Sequence, residues 1–154
     1  MSHTLQEFLA SAAVTAAADL KTALLRLPDD RRKWSAMENA RTALDQVAEC
    51  ALMNEATIDL ITTHVFDVAF NVDEYNRERH ELMQDLDSLL ARLEDSAVRV
   101  AAAIRTVPEE DLSVEIPMPW GPMTLTKIIA YPYWNMTYHE GQINYIASLA
   151  GCLE

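Results

Sequence analysis

Apolar residues return at three- and four-residue steps over four long stretches of this chain, and that recurrence most restricts what it can fold into. From residue 4 to about 27, Leu5, Phe8, Leu9, Ala12, Ala16, Leu20, Ala23 and Leu27 make one stripe, opened by Thr4 and Glu7 at capping-box spacing. Ser35 with Glu38 is a second such pair, and a stripe of Ala40, Leu44, Val47, Ala51 and Ile58 follows it, traceable with or without a break to Phe70. A turn at 71–73 leads to a third helix from about Glu74 to Ile104, in which Met83, Leu86, Leu90, Leu93, Ala97, Val100 and Ile104 lie close to a heptad. The fourth begins near Thr124 or Thr126 and runs to Ala150, with Gly151 as its C-cap.

Only between the third and fourth segments does the helical period lapse. Leu112, Val114 and Ile116 alternate with polar residues, then Pro117, Pro119, Gly121 and Pro122 punctuate, which predicts a short extended pair around Trp120 and Gly121. An isolated amphipathic helix cannot shield its own stripe, so the expected fold is all-α: one domain over 1–154, an antiparallel four-helix bundle with a Pro/Gly-rich crossing before the last helix.

Charge narrows the function classes. With 24 acidic against 12 basic residues the net charge is -12, and such a surface repels phosphate backbones and anionic lipid. No nucleic-acid and no membrane partner is expected, and no stretch approaches the ~18 uninterrupted apolar residues of a bilayer span. Residues 1–6 lack the basic start of a signal peptide, and Cys50 and Cys152 are too few for a disulfide framework, so the expected compartment is a reducing cytoplasm. Neither cysteine has an adjacent Lys, Arg or His, which ranks redox sensing last among the functions considered.

A functional site in a bundle is sought where polar residues fall on an inward stripe. On the last helix that line runs Ile128, Pro132, Asn135, His139, Gln142, Ile146, Leu149, with three consecutive polar positions bracketed by apolar ones. Each such group left unpartnered in a core costs on the order of 1–3 kcal/mol, so a polar pocket is expected there. Tyr131, Tyr138 and Tyr145 add hydroxyls nearby; Gly141 suggests a close backbone approach, and Pro132 a bend. The plainer alternative for His139 is a hydrogen-bonded structural group, and for Trp134 and Tyr138 packing or dimer contact. On the second helix, Cys50 projects roughly 80° and Asn54 roughly 40° from the stripe centre, whereas Glu49 projects near 180° and reads as solvent-facing. Cys50 read alone is a small buried hydrophobe.

The run Asn135-Met-Thr-Tyr-His139-Glu-Gly141-Gln142-Ile143, closing on Leu149-Ala-Gly151, resembles the DinB-like (YfiT-like) metal-dependent hydrolase superfamily. The Pro-Asp-Asp turn before Trp34 and the Pro/Gly crossing before the fourth helix resemble it too. The likeness covers nearly the whole chain; its specific part is short, chiefly His139-x-Gly141-Gln142-Ile143. It implies a bundle carrying one histidine on helix two and two histidines four apart on the last helix, a face of three nitrogen ligands with an open position for water or a thiol. Characterised members include transferases and isomerases that use low-molecular-weight thiols, and members are often homodimers.

This chain departs from that pattern. Asn135 stands at the first paired position, and Cys50, or after a one-residue slip Glu49, stands on helix two; His64 and His80 match neither position and are expected near helix ends, in solvent. The implied site is therefore His139, Cys50 and Asn135 around one divalent metal, zinc or nickel, with Gln142, Tyr138, Asn54 and Glu55 completing the pocket. A thiolate and an imidazole suit such an ion and an amide oxygen does not, so binding should be weaker than at an intact triad. Two functions follow as expectations. One is hydrolase or thiol-transferase chemistry at a weak or altered metal site, acting on a small-molecule or thiol ligand. The other is a non-catalytic homodimeric binding or interaction module with a vestigial metal site, dimerising through Trp134 and Tyr138.

Overall fold

The structure, a computed structural model, describes residues 4–67 and 70–153. Four long helices form the bundle: α1 (Leu5–Arg26), α3 (Ala43–Thr63), α5 (Leu86–Thr106) and α6 (Leu125–Leu149). Two shorter helices, α2 (Asp29–Arg32) and α4 (Val72–Leu82), lie in the connections. Each of α1 and α3 packs against both α5 and α6, so α1 and α3 occupy one diagonal and α5 and α6 the other. One end of the core joins Leu24, Val47, Leu89 and Ile143; the other joins Leu9, Ile61, Ile104 and Ile129. Hence α3 and α5 run side by side in the same direction, opposite to α1 and α6, and the segment containing α4 carries the chain back between them. The all-α four-helix bundle expected from the periodicity is the fold observed, with α1 antiparallel to α5 and α3 antiparallel to α6.

Capping explains the helix starts. The Glu7 amide donates to Thr4 Oγ1 at 3.2 Å, and the Lys127 amide to Thr124 Oγ1 at 3.4 Å. Helix α3 does not begin at Ser35: the Asp45 amide donates to Thr42 Oγ1 at 3.2 Å, while the Ser35 hydroxyl donates to the Ala40 carbonyl at 2.7 Å and closes a turn. Both residues head a cap-like sequence, but only Thr42 leads directly into the buried Ala43 and Leu44. The expected third helix is likewise two. Asp85 adopts an extended cap conformation and accepts from the Ser88 amide at 2.8 Å, which ends α4 and lets α5 start afresh. Leu5 and Phe8, placed on the stripe of α1 by their spacing, are exposed in its first turns. By length and composition α1 could cross a bilayer; here it is a wall of the bundle, burying Leu9, Ala13, Leu20 and Leu24.

The crossing from α5 to α6 contains the expected extended pair. Strands β1 (Glu115–Ile116) and β2 (Met123–Thr124) pair antiparallel, Glu115 opposite Thr124. Gly121, at φ 112°, takes the left-handed region in the turn between them. Helix α6 ends with Gly151 at φ 71° and the Cys152 amide donating back to the Ala147 carbonyl at 2.8 Å, the Schellman arrangement.

Candidate functional site

Where α3 and α6 face each other the core turns polar. His139 is buried on α6. Its Nδ1 lies 2.9 Å from Gln46 Oε1 and 2.9 Å from Gln142 Oε1, and its Nε2 lies 3.2 Å from Glu49 Oε1. An acceptor oxygen thus faces each ring nitrogen. Glu49 Oε2 accepts from Arg41 Nη1, and Arg41 also donates through Nε to Asp45. Asp45 in turn accepts from Arg79 Nε at 3.0 Å, so charge of alternating sign runs from α4 through α3 to the imidazole. Burial raises the Glu49 carboxyl's affinity for a proton, but the His139 hydrogen bond and the Arg41 charge outweigh it and hold the group below the usual carboxylate range.

Glu49 is the main correction to the helical projection. It points at His139 rather than into solvent, with 17% of its side chain exposed. The projection took one stripe centre for a helix beginning near Ser35. In fact α3 is covered by α5 on one side and α6 on another, so it buries Gln46, Val47, Cys50, Ala51 and Asn54 around a wide arc, and Glu49 stands at that arc's edge. Gln46 and Arg41 were missed for the same reason. A signal was there: one cation, Arg41, is followed at four-residue steps by two carboxylates, Asp45 and Glu49, the spacing of a same-face ion-pair row.

The other expected residues divide into those the fold gathers and those it separates. Asn135 Nδ2 donates to Cys50 Sγ at 3.7 Å, and Gln142 is bound to His139 as above. Asn54, one turn along α3 from Cys50, donates instead to Ser96 Oγ at 3.2 Å and to Met136 Sδ. Glu55 is turned to α5, where it accepts from Arg92 at 2.9 and 2.7 Å and from Arg99 at 2.7 Å. Tyr138 is half exposed, stacked on Trp134 with ring centroids 5.3 Å apart and set edge-on to the His139 ring. His64 is the exposed, left-handed C-cap of α3, and His80 is exposed in the last turn of α4. Gly141 is exposed, and a Cβ there would meet nothing within 4 Å, so the expected close approach of another backbone at that position is not found.

These residues do not fit the metal that the resemblance implies. Among the described residues no three His, Cys, Asp or Glu side chains are grouped to hold an ion. Cys50 is fully buried, and desolvation together with the nearby Glu49 charge pushes its thiol far above the usual range, so without an ion it keeps its proton. Asn135 offers Cys50 its amide N–H rather than a lone pair, and the Glu49 carboxylate already has Arg41 as its cation. What the arrangement can do is hold a proton between imidazole and carboxylate and keep two long helices in register.

The fold is shared with a solved structure. YfiT from Bacillus subtilis, described as a probable metal-dependent hydrolase with an unusual four-helix bundle topology, superposes with a TM-score of 0.75, over 98% of this chain and 90% of that one. Identity is 16%, so the likeness is one of fold. No curated protein matches the sequence. The parallel α3–α5 pair, the hairpin crossing and the buried Asn135–His139 line thus sit on a chain that matches the DinB family over residues 1–153, and to the DinB family this protein belongs.

Proposed function

We propose that this protein is a homodimeric binding module on a DinB bundle, in which an internal relay of Arg41, Glu49, His139 and Gln46 occupies the place of a metal centre. One observation carries this: acceptor oxygens face both nitrogens of His139, and the Glu49 carboxylate beside it is neutralised by Arg41. An ion binding there would have to displace a buried amide partner and compete with a guanidinium for Glu49, with no third donor to compensate. The two free cysteines suit a reducing compartment.

The dimer half is supported by α6, where Trp134 and Tyr138 stack on one another while remaining 55% and 50% exposed. Large aromatic side chains left in water beside a buried polar cluster suit a surface that a second copy covers.

Elemental analysis of protein purified without chelators, alongside His139→Ala, tests the reading. The expected result is far less than one zinc or nickel per chain in both, with no thermal upshift when either ion is added. Stoichiometric metal in the parent that disappears in His139→Ala would overturn it and restore hydrolase or thiol-transferase chemistry at a metal held by His139, Cys50 and Asn135.

A further inference from the structure

One turn away from the polar cluster, between α3, α6 and the hairpin, lies a cleft of about 710 Å³. Its walls are apolar, including Met53, Leu60, Met118, Met123 and Ile128, and Trp120 stands at its mouth, 68% exposed. Two of its lining residues, Tyr131 and Trp120, carry polar groups with capacity to spare. The Tyr131 hydroxyl has no hydrogen-bond partner among the described residues, and the Trp120 indole N–H meets only the weak acceptor Met123 Sδ at 3.3 Å. Burial and the neighbouring Glu49 push the Tyr131 phenol up to about 12, so it stays a neutral donor.

A second cleft, of about 650 Å³, shares Met53, Ala56, Leu60, Phe66 and Phe70 with the first, so the two adjoin along these residues. The shared edge is aromatic: Phe66 meets Trp120 edge-on at 5.8 Å, and Phe70 lies 5.5 Å from Tyr75. The far side carries carboxylates. Glu55 and Glu78 are neutralised by Arg92, but Asp59 and Glu74 are exposed and have no cationic partner among the described residues. Among the described residues no Lys, Arg or His lines either cleft.

An apolar chamber of this size, bordered by aromatic faces and by exposed carboxylates without a cationic partner, in a chain of net charge -12, favours one kind of occupant. We infer that the paired clefts bind a small hydrophobic amine, its apolar body in the Met53–Ile128 chamber and its ammonium group at Asp59 and Glu74. The inference rests on the binding-module reading and supplies its ligand class. The aliphatic or aryl body gains by leaving water, whereas a carboxylate or phosphate head would meet only like charge. The ammonium remains partly hydrated at the rim, where exposed ion pairs contribute modestly, so the amine preference should be about five- to tenfold.

Fluorescence titration reads this through Trp120, with Trp120→Phe as the control for Trp34 and Trp134. Phenylbutylamine, phenylbutanol and phenylbutyrate share one body and differ in head-group charge. Saturable binding is expected in the order amine, alcohol, carboxylate. Asp59→Asn combined with Glu74→Gln should bring the amine down to the alcohol's affinity while leaving the alcohol unchanged, and added salt should do the same. Both substitutions are on the surface, and circular dichroism verifies that the variant is folded. Equal affinity for the carboxylate, an amine preference that survives the double substitution, or no saturable binding of any probe would each overturn the inference. Metal content measured on the same sample separates the two conclusions. Stoichiometric metal with intact amine selectivity would sink the binding-module reading alone, and metal-free protein without amine selectivity would sink the ligand assignment alone.

Discussion

Glu49 shows how one side chain acquires a role its chemistry alone does not assign. A carboxylate at the edge of a buried arc is costly unless paired, and here Arg41, just before α3, and His139 on α6 pair it. Its proton affinity is lowered by folding, so between the ordinary carboxyl value near 4.3 and the lower folded value the unfolded chain takes up the proton first. The stability this group contributes is therefore complete at neutral pH and is lost as pH falls through that window. Glu49→Gln should cost on the order of 1–3 kcal/mol at pH 7 in urea unfolding, and the gap between parent and variant should close as pH falls below the ordinary carboxyl value. A gap independent of pH would mean that the carboxylate is not held by His139 and Arg41. Cys50 gives a second test at this scale. Its buried, proton-retaining thiol should resist a disulfide reagent in the native protein, which should label only the partly exposed Cys152, with two thiols reacting in denaturant. Rapid native labelling of Cys50 would reopen the thiolate as a candidate ligand.

Among the elements, α6 carries the most contradictory local signals. It holds Pro132 and Gly141 within a single helix and still runs from Leu125 to Leu149. Tertiary burial explains this: Ile129, Pro132, Met136, Ile143 and Ala147 are all buried against α1 and α3, and that packing outweighs a lost amide donor and a flexible glycine. Because Gly141 has open space where a Cβ would sit, its presence only weakens the helix. Gly141→Ala should stabilise the protein by about 0.5–1 kcal/mol, read as a rise of a few degrees in the melting temperature. A drop would reveal a neighbour at that face that the monomer does not contain. Helices α4 and α5 make the complementary point. One helix was expected across both, but the heptad starts only at Met83, just past α4, and a capping aspartate, Asp85, opens α5.

For the molecule as a whole, bundle topology decides what can be bound and where. Because α3 and α5 run in parallel, the returning segment with α4 lies against α3 and supplies Glu74, Tyr75 and Phe70 to the acidic cleft. The hairpin crossing from α5 to α6 supplies Met118 and Trp120 to the apolar one. The proposed dimer belongs to this scale as well. A stable interface between chains of this size buries about 1,200–2,000 Å², more than two aromatic rings alone provide, so neighbouring parts of α6 such as Tyr145 would have to join them. Light scattering should give twice the mass of one chain over a range of concentrations. Trp134→Ala combined with Tyr138→Ala should reduce it to the mass of one chain without loss of helix. A monomeric parent at every concentration would count against the dimer.

Periodicity is a property of the chain itself, and much that lies close to it was legible beforehand: four apolar stripes, the cap at Thr4, a last helix starting at Thr124 or Thr126, the extended pair around Gly121, and Asn135 and His139 on an inward line. The start of α3 at Thr42, the inward aim of Glu49, the reach of Arg41 and Gln46 to the imidazole, and the turning of Glu55 away to Arg92 were not. How wide an arc a helix buries depends on how many neighbours flank it, and no helix encodes its neighbours in its own repeat. The stripes could therefore be read one segment at a time. The polar relay and the paired clefts came into being only when α3 was enclosed by three other helices.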